Sequence, residues 1–531
     1  MSTEESQNQQ DSDTGKGVNL TRQGTVVASM TGVSRISGFI RDVLLAYLFG
    51  ATQYADMFFV ALRVPNFFRR LFAEGAFSQA FVPVMVRYRE DGLPALRGFL
   101  SPLSGIFAAT LVLVVVLGVL GAPILTALFA PGFLDEAAQF NATVELVRIT
   151  FPYLGFIALV SYTAAVLNAH NRFAIPAFTP VLLNLCLIAA ALFAISQNMT
   201  LASGIVVLAW GVFISGVVQL MFQIPSMQRL DCLPRPSLDH RHPVVVQVGK
   251  LLVPAVFSAS VGQINALVNT MLASTLMTGS ITWLYFADRL MELPLGLAAV
   301  ALGTVILPHL SRLASQEDHT AFNATMDWGI FLGLAVGLPA AVALFLLAEP
   351  LSAAVFMSVP GGAMSLLDIR MIGLALELFA VALPGFVLVK ILAPGFFAHQ
   401  NTQAPFRYAT VAVAVNLVGS GATFMWFGHV GLALATAMSA WVHVALLLNG
   451  LRKAGHYTPG KQLARHLLAV IGASVLLAAA IWWWLVPIDW LALNGGMRLA
   501  GMVAAAGAAV LVYLAGLLLC GVRPRDLIHR V

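Results

Sequence analysis

The sequence predicts an all-α membrane protein in which fourteen helices cross the bilayer, and three observations lead to that prediction. Of the 531 residues, 59% are hydrophobic and only 10% are charged, whereas soluble domains carry about 25% charged residues. The apolar residues are gathered into stretches that can span hydrocarbon, which takes about 20 residues. Basic residues are also distributed unevenly between alternate loops, as they are in proteins with many membrane spans.

The fourteen apolar stretches follow one another along almost the whole chain. They lie at about 25–50, 55–86, 99–129, 143–168, 176–196, 202–224, 246–274, 281–310, 322–347, 369–398, 405–427, 430–451, 464–486 and 497–521. Pro65, Pro294 and Pro384 interrupt the second, eighth and tenth stretches. Because proline has no N–H to donate within a helix, we expect kinks at these three places.

The loop charges predict the orientation of the chain. Most basic residues outside the spans fall on one side, whereas the opposite loops hold only Arg370 and Arg498 beside several acidic residues. The positive-inside rule places both termini in the cytoplasm, and an even number of spans agrees. The net charge of +5 and the pI near 9.2 reflect these loops, so we expect no nucleic-acid partner.

The order of the spans predicts two lobes and an appendage. We expect a disordered cytoplasmic tail at 1–24, an N-terminal lobe of six spans at 25–224 and a cytoplasmic linker loop at 225–245. A C-terminal lobe of six spans would follow at 246–452, and spans thirteen and fourteen with a tail at 453–531. Two six-helix lobes would form a parallel repeat around a central cationic cavity.

Charged residues inside the first span are the first sign of that cavity. A charged side chain at the bilayer centre costs roughly 2.5 to 3.5 kcal/mol on insertion scales, so such residues usually serve a function. Arg35 and Asp42 are seven residues apart and should share a helical face, while Arg41 should project elsewhere. The alternative is that Asp42 neutralises one arginine and the group anchors the helix near the cytoplasmic interface.

The second span carries the densest group of charges. Arg63, Asn66, Arg70 and Glu74 recur at helical spacing and should form one polar stripe, with Arg70 and Glu74 paired. Arg69 then has no local acidic partner, and a guanidinium can grip a phosphate with two hydrogen bonds. A purely structural stripe of salt bridges is the alternative.

The second half repeats this pattern of charges. Asp288 and Glu292 are four residues apart, and Arg289 lies three residues before Glu292. Lys390 has no acidic residue within a turn and is a candidate for the same cavity, or else reaches the cytoplasmic face. Together these groups predict a site for an anion.

Several absences narrow the function. No acidic residue lies between Lys250 and Asp288 or between Glu377 and Asp489, which argues against a cation-coupled carboxylate site in those helices. The sequence has no HExxH, GxSxG or P-loop motif and no cluster of metal-ligating cysteines and histidines. We therefore expect a transporter with no catalytic residues, no metal site and no cofactor, rather than an enzyme.

Several motifs resemble those of the MurJ (MviN) family of bacterial lipid II flippases, in the multidrug/oligosaccharidyl-lipid/polysaccharide exporter superfamily. The resemblance covers about residues 25–465 and lies in SRISGFIRD, FGATQYADMFFVALRVPNFFRRLFAEGAFSQAFVP, TFPY, NRFAIPAFTPVLLN, YFADRLMELPLG, LGTVILPHLSR, MDWG and VLVKILAPGFFA. The run FRRLFAEGAFSQAFVP is the most specific of these.

The resemblance implies a function and a set of site residues. It implies that lipid II, an undecaprenyl-pyrophosphate-linked disaccharide-pentapeptide, moves from the cytoplasmic to the outer leaflet of the inner membrane, in peptidoglycan biosynthesis and cell shape. The substrate-binding positions would be Arg35, Arg41, Arg69 and Arg289. Asp56, Glu74 and Glu292 likewise occupy acidic positions of the family. The spacing described above adds the other supporting polar and charged residues of the cavity, Asp42, Asn66, Arg70, Asp288 and Lys390. The membrane potential or a coupling ion would supply the energy.

Other functions remain open on the sequence alone. A related exporter could carry another polyprenyl-linked glycan or a cationic drug, although a drug exporter favours carboxylates over arginines. A polyprenyl-phosphate glycosyltransferase would need a long acidic loop. A non-transporting membrane scaffold of the cell-wall synthesis or division proteins would tolerate alanine at every cavity arginine.

Overall fold

The structure is a computed structural model, and it describes the backbone of residues 4–70, 76–303, 306–523 and 526. Side chains are described from residue 26 onward within these ranges, apart from 76–80, 83, 253–262 and 297–303. Glu74 therefore lies outside the described residues. Within the described ranges the chain forms helices and turns and no strand.

The helices follow the apolar stretches of the sequence closely. In the first half they are α1 Glu4–Phe49, α2 Gln53–Arg69, α3 Ala76–Glu90, α4 Leu93–Leu120, α5 Ala122–Phe129, α6 Ala137–Thr150, α7 Tyr153–Ala169, α8 Ala174–Ser196 and α9 Leu201–Arg229, with a short 3₁₀ helix at Pro131–Asp135. In the second half they are α10 Pro243–Ser274, α11 Ser280–Gly303, α12 Ile306–Ser315, α13 His319–Leu346, α14 Ala348–Phe356, α15 Leu366–Phe397, α16 Gln403–Lys453, α17 Lys461–Ala480 and α18 Gly495–Leu519, with a π-helical turn at Ile481–Leu485.

Nine helical stretches in the described part of the chain are long and apolar enough to cross a membrane. The protein is thus an all-helical membrane protein with many spans, while the count of fourteen stays a prediction. Helices contain all three of the prolines at which we expected kinks: Pro65 in α2, Pro294 in α11 and Pro384 in α15.

Helix boundaries differ from the expected ones in several places, because some predicted spans, such as 99–129, consist of two helices. α1 begins at Glu4 and so includes residues predicted as a disordered tail; Glu and Gln are good helix formers, and acidic residues suit a helix N-terminus. The predicted span at 143–168 consists of α6 and α7, because Pro152 cannot donate to the helical ladder. α9 continues to Arg229 and α10 begins at Pro243, which leaves a shorter linker than the predicted one.

The predicted boundary between spans eleven and twelve coincides with a break inside α16. Gly428 has φ 58° and ψ −136°, a conformation that is strained for residues with a Cβ atom. The two arms of α16 therefore meet at this glycine. The sequence predicted a gap at 428–429, and the structure places the break there.

The described chain divides into two compact units. Unit 1 consists of residues 1–48, 57–129 and 133–263, and unit 2 of 49–56, 130–132 and 264–531. In unit 1, α8 packs along α9, α7 packs against α9, and α3 and α4 pack on α7. The rings of Phe81, Phe99 and Tyr162 meet in its core, and the Tyr162 hydroxyl donates to the Leu100 carbonyl at 3.2 Å.

Unit 2 is built around α15. This helix contacts α11, α13, α14 and α16, and α17 packs against both α13 and α18. Small residues let α15 and α16 approach closely: a Cβ at Gly385 would lie 3.2 Å from the Cβ of Ala440. Ala382, Ala437 and Ala440 form the buried cluster at this crossing.

Candidate functional site

Among the described residues of unit 1, the most deeply buried charges lie in the last third of α1. Arg41 is 8% exposed and Asp42 is 3% exposed. The Arg41 guanidinium donates to one oxygen of Asp42 from both Nε, at 3.0 Å, and Nη2, at 2.7 Å. This contact corrects the prediction that Arg41 projects away from Asp42. Adjacent residues on a helix point in different directions. The arginine side chain is long and flexible enough to bend back along its own helix and reach its neighbour.

A third residue completes this group from another helix. Asn184 of α8 is 5% exposed and accepts a hydrogen bond from Nη1 of Arg41 at 2.9 Å. Arg35, one and a half turns before Arg41, is exposed, and within the described residues it has no hydrogen-bond or ion-pair partner. The shared helical face that we predicted for Arg35 and Asp42 therefore does not bring them into contact.

Asp56, at the start of α2, is bound by the beginning of α11. Its carboxylate accepts hydrogen bonds from the Gly279 N–H at 2.6 Å, the Thr282 N–H at 2.9 Å and the Thr282 hydroxyl at 2.6 Å. The segment that carries Asp56 belongs to unit 2, as α11 does. The first N–H groups of a helix have no partner within the helix, and a carboxylate satisfies them well. The structure thus gives Asp56 the role of a helix cap.

The rest of α2 carries the polar stripe. Arg63, Asn66 and Arg69 are half-buried, and Arg70 is exposed. Arg69 takes part in an interaction within the protein, so the structure does not support the argument from a missing partner, and its role in anion binding stays a prediction. The expected pairing of Arg70 with Glu74 falls outside the described residues.

The corresponding charges in unit 2 lie on α11. Nη1 of Arg289 contacts Oε2 of Glu292 at 2.7 Å, so the predicted pair three residues apart is present. The Arg289 guanidinium also lies over the ring of Tyr285, 5.0 Å from its centre, in a cation–π contact. The side chains of Arg289 and Glu292 are 38% and 43% exposed, and Asp288 is half-buried.

Lys390, on α15, is exposed, and no described residue bonds to it. Its exposure is compatible with both hypotheses from the sequence. Lys390 would line the cavity in one of them and reach the membrane surface in the other. The structure therefore leaves the role of Lys390 a prediction.

One buried arginine has a different kind of environment. Arg498 in α18 is 5% exposed and donates to backbone carbonyls of Trp490, Leu491 and Leu493 at 2.8 to 3.0 Å. It also reaches the Ala353 and Met357 carbonyls at the end of α14, at 3.5 and 3.3 Å. Cations suit the C-terminal end of a helix, where carbonyls are left without partners. Arg498 therefore holds α18 to α14. We assigned it only to a loop, because no local spacing predicts these contacts.

The described charged groups are mainly arginines and their acidic or amide partners. Within the described residues, no three His, Cys, Asp or Glu side chains are grouped so that they could hold a metal ion. The distinctive groups are guanidiniums inside apolar helices, which bind phosphate oxygens with directed, charge-assisted hydrogen bonds. Fold and charged groups together define a helical membrane protein with many spans, whose apolar helices carry arginines.

Comparison with known proteins identifies the family. The family model described as "Lipid II flippase MurJ" matches residues 45–493. The chain therefore belongs to the MurJ family. A "Probable lipid II flippase MurJ" of Vibrio cholerae is 42% identical over 518 residues, covering 96% of this chain and 97% of that protein. The "Lipid II flippase MurJ" of Burkholderia cenocepacia is 38% identical, covering 89% of this chain and 92% of its relative.

Solved structures agree with this assignment. A structure titled "Lipid II flippase MurJ, inward closed conformation" has a TM-score of 0.78 and 26% identity, covering 93% of this chain and 98% of that one. An inward-facing multidrug resistance transporter of the MATE family and the MOP superfamily has a TM-score of 0.62 at 12% identity, covering 82% of this chain and 98% of that one. The second likeness concerns the fold alone.

Proposed function

We propose that this chain is a lipid II flippase, which moves the undecaprenyl-pyrophosphate-linked peptidoglycan precursor from the cytoplasmic to the outer leaflet of the inner membrane. The observation that carries the proposal is its membership of the MurJ family over residues 45–493, with relatives aligned over nearly their full length. The protein is then a transporter and not an enzyme. Its partners are lipid II and the surrounding membrane lipid, together with cell-wall synthesis or division proteins.

The finer architecture belongs to the same proposal. We expect fourteen spans, arranged as two lobes of six helices around a central cationic cavity, with two further helices at the C-terminus and both termini in the cytoplasm. The break at Gly428 supports separate eleventh and twelfth spans. The pairing of α17 with α18 supports a C-terminal pair of helices.

The physical problem is to carry a pyrophosphate, sugars and a peptide through hydrocarbon while the polyprenyl tail stays in lipid. Arg35, Arg41, Arg69 and Arg289 would bind the pyrophosphate in a cavity that opens to each side in turn. Asp42, Glu74 and Glu292 would orient the arginines and limit their repulsion when the site is empty. The contacts of Asp42 with Arg41 and of Glu292 with Arg289 support this division of roles.

The energy source would be the membrane potential or a coupling ion. An inside-negative potential favours the return of a vacant cationic site toward the cytoplasm, by about 2.3 kcal/mol per charge per 100 mV if the whole field is crossed. The absence of acidic residues from 251–287 and from 378–488 favours the potential over a carboxylate-bound cation.

The direct test is the leaflet distribution of lipid II in cells depleted of this protein. A hydrolase added from outside cleaves only exposed precursor, and the released headgroup is then quantified. We expect depletion to abolish exposure and the intact chain to restore it. The variant Arg289→Ala should fail to restore it, whereas Arg370→Ala, which alters an exposed arginine of unit 2 outside the proposed site, should succeed.

Two outcomes would contradict the proposal. Unchanged exposure after depletion would reject lipid II flipping and favour another polyprenyl-linked glycan as the substrate. Normal growth of cells whose protein carries alanine at all four arginines would reject the arginine site and favour a scaffold. The four positions are Arg35, Arg41, Arg69 and Arg289.

A further inference from the structure

Asn184 lies beside the charged pair of α1 although it is 143 residues from Arg41 in sequence. It is the last residue of the motif NRFAIPAFTPVLLN, and it has no charge that would single it out. A Cβ added at Gly38 of α1 would lie 3.4 Å from the Asn184 amide nitrogen, so α1 and α8 pack closely here. Asn184 is therefore part of a tight crossing of two helices within unit 1.

The hydrogen bonds of Asn184 leave only one orientation for its amide. Its oxygen faces Nη1 of Arg41, which can only donate. Its nitrogen donates to the carbonyl of Ser34, which can only accept, and to the hydroxyl of Ser37, both at 3.0 Å. Exchanging the two amide atoms would set donor against donor and acceptor against acceptor. The amide thus links Arg41 to the backbone of α1 about two turns earlier.

Asp42 and Asn184 act differently on Arg41. Asp42 lies on the same helix and compensates the charge through Nε and Nη2. Asn184 is neutral, comes from another helix and holds Nη1 without compensating any charge. A guanidinium fixed from two helices keeps its direction, and a fixed direction is what a bidentate phosphate contact requires.

We propose that Asn184 is a positioning residue for substrate binding, which acts by holding the Arg41 guanidinium in the orientation that a pyrophosphate needs. This inference rests on the proposed function, because it takes Arg41 to be one of the groups that bind lipid II. Asn184 itself need not touch the substrate. Its effect passes through Arg41.

The test is a double-mutant cycle on the purified full-length protein, with lipid II as the probe. The variants are Asn184→Ala, Arg41→Ala and the double variant, each measured for the Kd of lipid II. Hydrogen bonds to charged groups are strong enough that we expect Asn184→Ala to weaken binding about tenfold. In the Arg41→Ala background the same change should have no further effect, because the group that Asn184 positions is already gone.

Two more variants separate positioning from packing. Asn184→Leu fills nearly the same space without any hydrogen bond, so it should also weaken binding about tenfold, and its Tm should fall no further than that of Asn184→Ala. Ser37→Ala removes a bond on the other side of the amide and leaves the Arg41 contact, so it should bind lipid II as the parent does.

The outcomes distinguish this inference from the proposed function. Equal losses from Asn184→Ala in the parent and in the Arg41→Ala backgrounds would overturn positioning, as would unchanged binding in both Asn184 variants. If the parent protein does not bind lipid II, or Arg41→Ala binds it normally, the substrate role of Arg41 fails first and the inference fails with it.

Discussion

The charged groups of α1 and α11 both keep an arginine within an apolar helix, but the two arginines have different partners and different exposure. Both helices place an arginine next to an acidic residue inside an apolar segment. Arg41 is almost completely buried and is held by Asp42 and by Asn184 of a second helix. Arg289 is 38% exposed, and the contacts described for it, to Glu292 and the ring of Tyr285, lie on its own helix.

The difference indicates what each arginine can do. A buried ion pair must stay paired, because a single charge left in a low-dielectric interior is strongly unfavourable. A half-exposed pair is held less firmly than a buried one, so its partners can exchange more readily. The Arg289 side chain is thus the more accessible of the two, whereas Arg41 is enclosed by its protein partners.

Arg498 shows that burial alone does not mark a binding site. It is as inaccessible as Arg41, but its described acceptors are backbone carbonyls at the end of α14 and before α18. Its charge serves the packing of the C-terminal helices. The kind of acceptor, and not the depth, distinguishes it from the arginines of the proposed site.

The largest effect should come from removing the acid of the buried pair. Asp42→Leu leaves the Arg41 charge without its carboxylate, and breaking a buried pair costs about 3 to 5 kcal/mol of unfolding free energy. We expect a fall of that size, measured by unfolding in detergent. The double variant Asp42→Leu with Arg41→Met should recover much of the stability. A single variant as stable as the parent would contradict the contrast with α11.

The half-exposed arginine should show the opposite pattern. Arg289→Ala should reduce lipid II flipping by about 10- to 100-fold, since charge-assisted hydrogen bonds contribute about 1.5 to 3 kcal/mol each. Its Tm should stay near that of the parent because the Arg289 side chain is 38% exposed rather than buried. Leaflet exposure of lipid II and thermal unfolding are the two measurements. A large loss of Tm would mean that Arg289 is structural, as Arg498 is.

Arg498→Met should destabilise the protein without changing its ligand binding. Losing the carbonyl contacts costs about 1 to 3 kcal/mol, because buried acceptors lose their donor. We expect a lower Tm and greater protease sensitivity near 490–498, with the Kd for lipid II unchanged. Weaker lipid II binding at unchanged Tm would instead place Arg498 in the binding site.

The smallest effect concerns pH and lies outside the spans. The His456 ring stacks on His399 with centres 3.8 Å apart, and burial, followed by His399 and His319, lowers its pKa below 6.5. The unfolded chain then takes up the proton at a higher pH than the folded chain, so stability present above pH 6.5 is lost as the pH falls below it.

The fall in Tm from about pH 7.5 to about pH 5.5 should therefore be smaller in His456→Phe than in the parent. His240→Phe, at an exposed position of the linker, is the matched control and should change nothing. An equal pH dependence in the parent and in His456→Phe would show that the stacked pair does not couple to folding.

The sequence predicted the local features of the fold well. Apolar stretches predicted helices, and the predicted gap at 428–429 coincides with the break at Gly428. Glycine can take the conformation of this break without the strain that a Cβ atom would add. The Arg289–Glu292 contact was predictable because residues three apart on a helix are always neighbours. The pairing of Arg41 with Asp42 was not, since adjacent residues meet only through the choice of side-chain rotamer.

By itself, then, the sequence determined the class of protein, most of its helices and the charges within them, because hydrophobic length and helical spacing are properties of neighbouring residues. The tertiary structure alone decided that Asn184 meets Arg41, that Asp56 caps α11 and that Arg498 binds the end of α14. Each of these contacts joins residues far apart in the chain. They exist only once helices pack, and a buried polar group then bonds to whichever partner the packing brings within reach.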